Sequence, residues 1–322
     1  MHRKGGSVPE KGGEVSDMRN LDKYKGIIPA FYACYDGEGN ISPERVRALT
    51  EYFIRKGVKG IYVNGSSGEC IYQSVEDRKV VLENVMEAAA GKLTVIAHVA
   101  CNNTKDSREL AAHAQGLGVD AIACIPPIYF HLPEYAIAEY WNDISDAAPD
   151  TDFIIYNIPQ LAGVSLTQSL FAKMRENPRV IGVKNSSMPV QDIQLFKQAG
   201  GEDYIIFNGP DEQFISGRVI GAEGGIGGTY GVMPELFLKM NELVEAGDLK
   251  KACEVQYQAN EVIYKMCAAH GNMYAVIKEI LRINEGLDIG GVRRPLTDLI
   301  KEDMPIVEEA ARMIREAKAG IC

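Results

Sequence analysis

Lys184 ends the apolar run Val180-Ile181-Gly182-Val183 and is followed at once by Asn185-Ser186-Ser187, so the segment reads as a buried strand that delivers a primary amine to a loop. An amine at the mouth of a buried strand loses part of its hydration, which disfavours the ammonium and favours the nucleophilic free base. The chemistry open to it is imine formation with a carbonyl compound, after which the protonated imine draws electrons from a neighbouring bond. Taken alone, the default reading is a strand-end lysine turned to water. Tyr156 adds to the first reading, because it stands one βα unit upstream at a second strand end, where phenol and amine converge. A phenol beside an amine is a proton relay: its ordinary pKa of about 10 lets it donate, and a nearby cation helps it release the proton. Without Lys184, Tyr156 reads as a half-buried strand aromatic with its hydroxyl in water.

Three further segments carry polar groups at strand ends. Gly65-Ser66-Ser67-Gly68-Glu69 brings two hydroxyls and adjacent N–H groups together in a turn that fits a carboxylate, or it is a Ser- and Gly-rich strand-to-helix turn with Glu69 as a structural acceptor. Asn208-Gly209-Pro210-Asp211-Glu212 places two carboxylates at a helix entrance, where they either cap the helix or bind the hydroxyls of a polyol. Gly224-Gly225-Ile226-Gly227-Gly228-Thr229 suits a phosphate or a close-packed glycine strand. The histidines His2, His98, His113, His131 and His270 have no metal-site spacing, and no metal is expected. Ser66 and Ser67 lie outside a G-x-S-x-G elbow and have no partnered base, which argues against a serine hydrolase.

The elements that must position these groups follow a repeating order. Short apolar runs over 27–33, 60–64, 93–99, 121–125, 153–157, 180–184, 204–208 and 223–228 alternate with helical periodicity over 43–56, 75–90, 104–117, 133–147, 166–176 and 211–220. Eight strands, each followed by a helix, predict an α/β fold of the (β/α)8 barrel type over residues 23–246, with its chemistry at the carboxyl ends of the strands. Helical patterns over 249–270, 274–284 and 305–317 predict a C-terminal helical extension over 247–322, and the charged, glycine-containing residues 1–22 read as a disordered leader. At 322 residues the chain can bury a large core, and 46% hydrophobic with 24% charged residues is a soluble composition. A formal net charge of −10 leaves no basic field for nucleic acid or for an anionic membrane surface. Seven cysteines without C-x-x-C pairs read as reduced thiols, hence a cytoplasmic protein.

Gly65-Ser66-Ser67-Gly68-Glu69, Tyr156-Asn157-Ile158-Pro159, Gly182-Val183-Lys184 and Gly224-Gly225-Ile226-Gly227 occur in this order with barrel spacing, and with them the chain resembles the dihydrodipicolinate synthase and N-acetylneuraminate lyase family from about Lys25 onward. The resemblance implies a (β/α)8 barrel with a C-terminal helical segment, a homotetramer, and a class I aldolase acting on pyruvate or its adducts without a diffusible cofactor. It implies that Lys184 is the Schiff-base lysine, that Tyr156 relays protons, that Ser66 and Ser67 flank the pyruvyl carboxylate, and that Tyr129 approaches a neighbouring subunit's site. Tyr129 reads otherwise as an interface aromatic that only packs. Where the synthase branch carries an arginine after Y-N-x-P, this chain has Leu161, which points to the lyase branch. There Gly209, Asp211 and Glu212 hold sugar hydroxyls, and Ser186 keeps a hydroxyl at a threonine position. Gly228 departs from the lyases, which often carry serine at that place, and Thr229 is a candidate to replace it.

The expected activity is therefore retro-aldol cleavage of N-acetylneuraminate to pyruvate and an amino-sugar aldehyde. The alternatives are another 2-keto-3-deoxy sugar acid aldolase, such as one for 2-keto-3-deoxygluconate, a dihydrodipicolinate synthase-like enzyme, and a non-catalytic sugar-acid-binding protein.

Overall fold

The computed structural model describes residues 20–321. The expected disordered leader over 1–22 lies outside the described residues up to position 19. Leu21 and Tyr24, where the described chain begins, are buried. The Tyr24 hydroxyl stands 2.6 Å from the Asp120 carbonyl and 2.7 Å from Asp152 Oδ2, so this residue closes the barrel beneath its fourth and fifth strands.

Strands and helices then alternate. In chain order they are β1 Gly26–Pro29, α1 Pro43–Lys56, β2 Gly60–Val63, α2 Val75–Ala89, β3 Thr94–His98, α3 Thr104–Gly116, β4 Ala121–Cys124 and α4 Glu134–Asp146. They continue with β5 Asp152–Asn157, α5 Pro159–Ala162, α6 Gln168–Met174, β6 Val180–Asn185, α7 Gln191–Gly200, β7 Ile205–Asn208, α8 Phe214–Val219, β8 Gly224–Gly227 and α9 Pro234–Glu245. Helices α10 Leu249–Cys267, α11 Met273–Glu285 and α12 Met304–Gly320 follow. All strand pairs are parallel, in the order β1-β8-β7-β6-β5-β4-β3-β2, and a parallel bridge between Ala30 and Tyr62 joins β1 to β2. The fold is the expected (β/α)8 barrel.

Local chemistry accounts for the helix starts. Ser42 accepts from the Arg45 N–H with Pro43 in the first turn, and Ser74 with Asp77 forms a capping box. Differences from expectation have local causes. The run over 27–33 stops being a strand at Pro29, because the Ala30 N–H turns to Gly227 O and the Phe31 N–H to Tyr62 O, which closes the ring of strands. The helix expected over 211–220 is broken into a 3-10 turn, Asp211–Gln213, and α8, because Pro210 stands at its start and the Asp211 carboxylate is engaged elsewhere. Helix α7 completes the sixth unit as the alternation of strand and helix requires, over a stretch for which the periodicity sets no bounds.

Two apolar layers result. Ile28, Tyr62, Ile96, Ile154, Tyr156, Ile181, Phe207 and Ile226 fill the barrel, and a larger cluster lies between strands and helices. The register between β5 and β6 slips by one residue, with Phe153 opposite Val180 but Ile154 opposite Gly182. This bulge at Ile181 resets the alternation of β6, so that Ile181 fills the barrel while Lys184 also faces the mouth. Gly182 has no side chain because a Cβ there would run into the Ile205 carbonyl. Among the described residues no helix is long and apolar enough to cross a membrane.

Candidate active site

Tyr156 and Lys184 are register partners on β5 and β6, so the two side chains emerge side by side at the carboxyl end of the barrel. Lys184 is 4% exposed. Its Nζ lies 3.8 Å from the centre of the Tyr156 ring and 4.1 Å from that of Tyr62. Burial drives its pKa down from 10.5 to about 7, and the negative field of Asp211 opposes that shift. At pH 7 roughly half of the amine is then free base, against roughly one part in a few thousand at an ordinary lysine pKa. Burial also raises the Tyr156 phenol to about 12, while hydrogen bonds from Ser66 and Ser186 pull it down. The phenol is therefore neutral near pH 7 and has a proton to give.

The chain behind this pair is held by amides. Asn157 Nδ2 donates to Asn185 Oδ1 at 2.7 Å, the Ser186 N–H to Asn157 O at 2.7 Å, and the Gly209 N–H to Asn185 O at 2.8 Å. Gly209 must be glycine here, since a Cβ would strike Ser186 Oγ and the Asn185 carbonyl.

After β2, Ser66–Gly68 forms a 3-10 turn that ends on Glu69, whose φ of 54° is left-handed. Glu69 sustains that conformation through partners. Its Oε1 accepts from Lys278 Nζ of α11 at 2.8 Å and its Oε2 from the Arg293 N–H at 2.8 Å, so it is a structural acceptor under the serine turn. Ser67 is buried and Ser66 half-buried, with the latter hydroxyl beside the Tyr156 phenol.

The opposite wall comes from the ends of β7 and β8. Asp211 does not cap its helix: its Oδ2 accepts from the Thr229 N–H at 2.6 Å and from Thr229 Oγ1 at 2.5 Å. Burial raises its pKa to about 6, and the two Thr229 hydrogen bonds oppose the rise. Because the Thr229 hydroxyl gives its proton to Asp211, it is not available as a donor in place of a serine at Gly228. Glu212 is exposed at the rim, and Leu161 is 64% exposed on the facing side.

A cavity of about 370 Å³ joins these parts. Lys184, Tyr156, Ser66, Ser67, Leu161, Ser186, Gly209, Asp211, Glu212 and Gly228 all line it. Its chemistry is an amine poised near neutrality, a neutral phenol, a hydroxyl-rich turn suited to an anion, and two carboxylates suited to hydroxyl groups. Among the described residues no three His, Cys, Asp or Glu side chains cluster as metal ligands would.

The model of the dihydrodipicolinate synthetase family matches residues 23–314. The chain belongs to this family. It is 77% identical over 301 residues to the N-acetylneuraminate lyase of Mediterraneibacter gnavus, a match that spans 94% of this chain and 96% of that protein. It is 32% identical over 295 residues to the N-acetylneuraminate lyase of Salmonella agona, covering 92% of this chain and 98% of the relative. A solved structure of a Ruminococcus gnavus sialic acid aldolase, a catalytic lysine mutant, superposes with a TM-score of 0.94 at 76% identity, over 95% of this chain and 100% of that one.

Within this family member, Tyr129 stands apart from the cavity. It is 85% exposed, has a φ of 85°, and meets Phe130 edge-on at 5.0 Å between ring centres. Sequence reasoning missed Tyr62, whose ring lies against Lys184 from inside the barrel, and Tyr274, whose hydroxyl accepts from Ser67 Oγ at 3.1 Å. Tyr62 lies inside a continuous apolar strand and carries no motif. Tyr274 comes from α11, beyond the barrel, where no strand-end rule directs attention.

Proposed function

We propose that this chain is a class I aldolase, a carbon–carbon lyase that cleaves open-chain N-acetylneuraminate to pyruvate and N-acetylmannosamine. The observation that carries the reading is Lys184, a buried amine with a pKa lowered to about 7, beside the neutral Tyr156 phenol and facing Ser66, Ser67 and Asp211 across one cavity. The 77% identity to a protein named N-acetylneuraminate lyase supports the substrate, and the lysine mutant of the sialic acid aldolase supports a lysine mechanism.

In the proposed sequence the carboxylate of the sugar acid sits on the Ser66–Ser67 turn and its hydroxyls meet Gly209, Asp211, Glu212 and Ser186, with Leu161 and Gly228 shaping the rim. Lys184 Nζ attacks the keto carbon and forms the C–N bond of a carbinolamine. Tyr156 gives its proton to the departing hydroxyl, water leaves, and a cationic iminium forms beside the phenolate, whose charge the cation stabilises. The phenolate then takes the proton of the C4 hydroxyl. The C3–C4 bond breaks, its electrons pass to the iminium to give an enamine, and the aldehyde leaves. The Tyr156 phenol gives its proton to C3 of the enamine, water adds to the regenerated iminium as the phenolate takes back a proton, and collapse of the carbinolamine releases pyruvate and restores the amine. The barrel contributes position and a dry, oriented field.

We further infer a homotetramer in which Tyr129 reaches a neighbouring subunit's site and completes the proton relay. The exposure of Tyr129 and Phe130, at 85% and 72%, favours their being covered by another subunit. A cytoplasmic location accords with the cysteines that are free among the described residues. The test of substrate is side-by-side pyruvate release from N-acetylneuraminate and 2-keto-3-deoxygluconate. Preference for the first in kcat/KM is expected, and preference for the second would overturn the substrate while leaving the Lys184 chemistry.

A further inference from the structure

Tyr274 enters the cavity from α11, and the reaction sequence above does not use it. Its hydroxyl accepts from Ser67 Oγ at 3.1 Å, and among the described residues no acceptor takes the phenol's own proton. The ring is fixed in place. It packs against Tyr32 with 6.3 Å between ring centres, and the Tyr32 hydroxyl donates to the Gly228 carbonyl at 2.7 Å. Gly228 lies against the same pair, since a Cβ there would stand 3.3 Å from Ser67 Oγ, a tight approach, and 3.6 Å from Tyr274 Oη, an ordinary contact. Burial holds the phenol's pKa well above its ordinary 10, which keeps it a neutral donor at working pH.

A serine hydroxyl has one proton. While Ser67 gives it to Tyr274, it presents lone pairs to an incoming anion. A carboxylate favours the reverse arrangement, in which the Ser67 O–H turns to the anion and the Tyr274 O–H donates to Ser67 Oγ. Both protons are then in hydrogen bonds, and the Ser67 donor is strengthened by the phenol behind it. A phenylalanine in this place would leave Ser67 without that support.

We propose that Tyr274 is a positioning residue for the substrate carboxylate, acting through Ser67. The proposal rests on the Schiff-base reading of Lys184 given above. It is tested by the pyruvate dependence of borohydride trapping, alongside kcat and KM for N-acetylneuraminate cleavage, in wild type, Tyr274→Phe, Ser67→Ala and the double variant. The saturating yield of adduct reports folded protein in each. Tyr274→Phe is expected to raise half-saturating pyruvate, and the KM for the sugar acid, about tenfold with a much smaller change in kcat. In the Ser67→Ala background the same substitution is expected to change either value by less than about twofold. Unchanged pyruvate half-saturation in Tyr274→Phe, or additive effects in the double variant, would overturn the proposal. So would a rise in KM for the sugar acid alone, which would place the phenol on the sugar tail. A wild-type protein that forms no adduct would overturn the Schiff-base reading and this assignment with it, whereas a normal adduct with unaltered pyruvate dependence in Tyr274→Phe overturns this assignment alone.

Discussion

Two opposing fields set the nucleophile. Burial pushes Lys184 down and the Asp211 carboxylate pulls it back up, and burial wins by enough to bring the pKa to about 7. Below that value the ammonium dominates and cannot attack a carbonyl, so kcat/KM is expected to fall on the acid side of about pH 7 and to level off above it. Asp211→Asn removes the negative charge that raises the amine, and the acid limb of the profile is expected to move to lower pH. An unmoved or upward-shifted limb would contradict the assigned coupling. The pH dependence of kcat/KM in both proteins is the check. Lys184 and Tyr156 were legible in the sequence because each ends an apolar run, and the barrel rule says where such ends meet. Thr229 was not legible as a partner of Asp211, since nothing in the spacing shows that a carboxylate at a helix start turns across to the next strand end.

At the scale of elements, the serine turn after β2 is held from the C-terminal helices. Lys278 of α11 and Glu69 form an ion pair at 2.8 Å with side chains 2% and 0% exposed. Lys278→Met would leave Glu69 buried with its charge uncompensated, which is expected to destabilise the fold by about 3–5 kcal/mol, read as a lower midpoint in urea unfolding. A midpoint equal to wild type would show that the pair is dispensable. At the other wall, Gly209→Ala drives a Cβ into Ser186 and the Asn185 carbonyl, and a large loss of cleavage activity is expected as the loop after β6 moves away from Tyr156. Glu69 was readable as a structural acceptor from its turn, but its partner stands 209 residues away and carries no local signal. The bulge at Ile181 was hidden for a different reason. A strand buried on both faces shows a continuous apolar run, so no alternation exists to reveal a slip of one residue.

At the scale of the whole molecule, the regular alternation of strand and helix was legible because each unit must bury a strand and an apolar helix stripe. Closure of the barrel through Ala30 and Tyr62 was not, because it depends on a segment just past the end of β1 that pairs with β2 without forming a regular strand itself. The proposed tetramer makes a molecule-level prediction: sedimentation equilibrium is expected to give a species of four chains, and Tyr129→Ala is expected to lower kcat by about tenfold or more while Lys184 still forms its adduct. A fully active monomer would contradict that arrangement. The central claim is that the barrel serves to present one amine to pyruvate. It is tested most directly by incubating the protein with pyruvate, reducing with borohydride and mapping the modified peptide. The predicted result is a reduced pyruvyl adduct on Lys184, absent from Lys184→Arg, and an adduct on a different lysine, or none at all, would contradict the account.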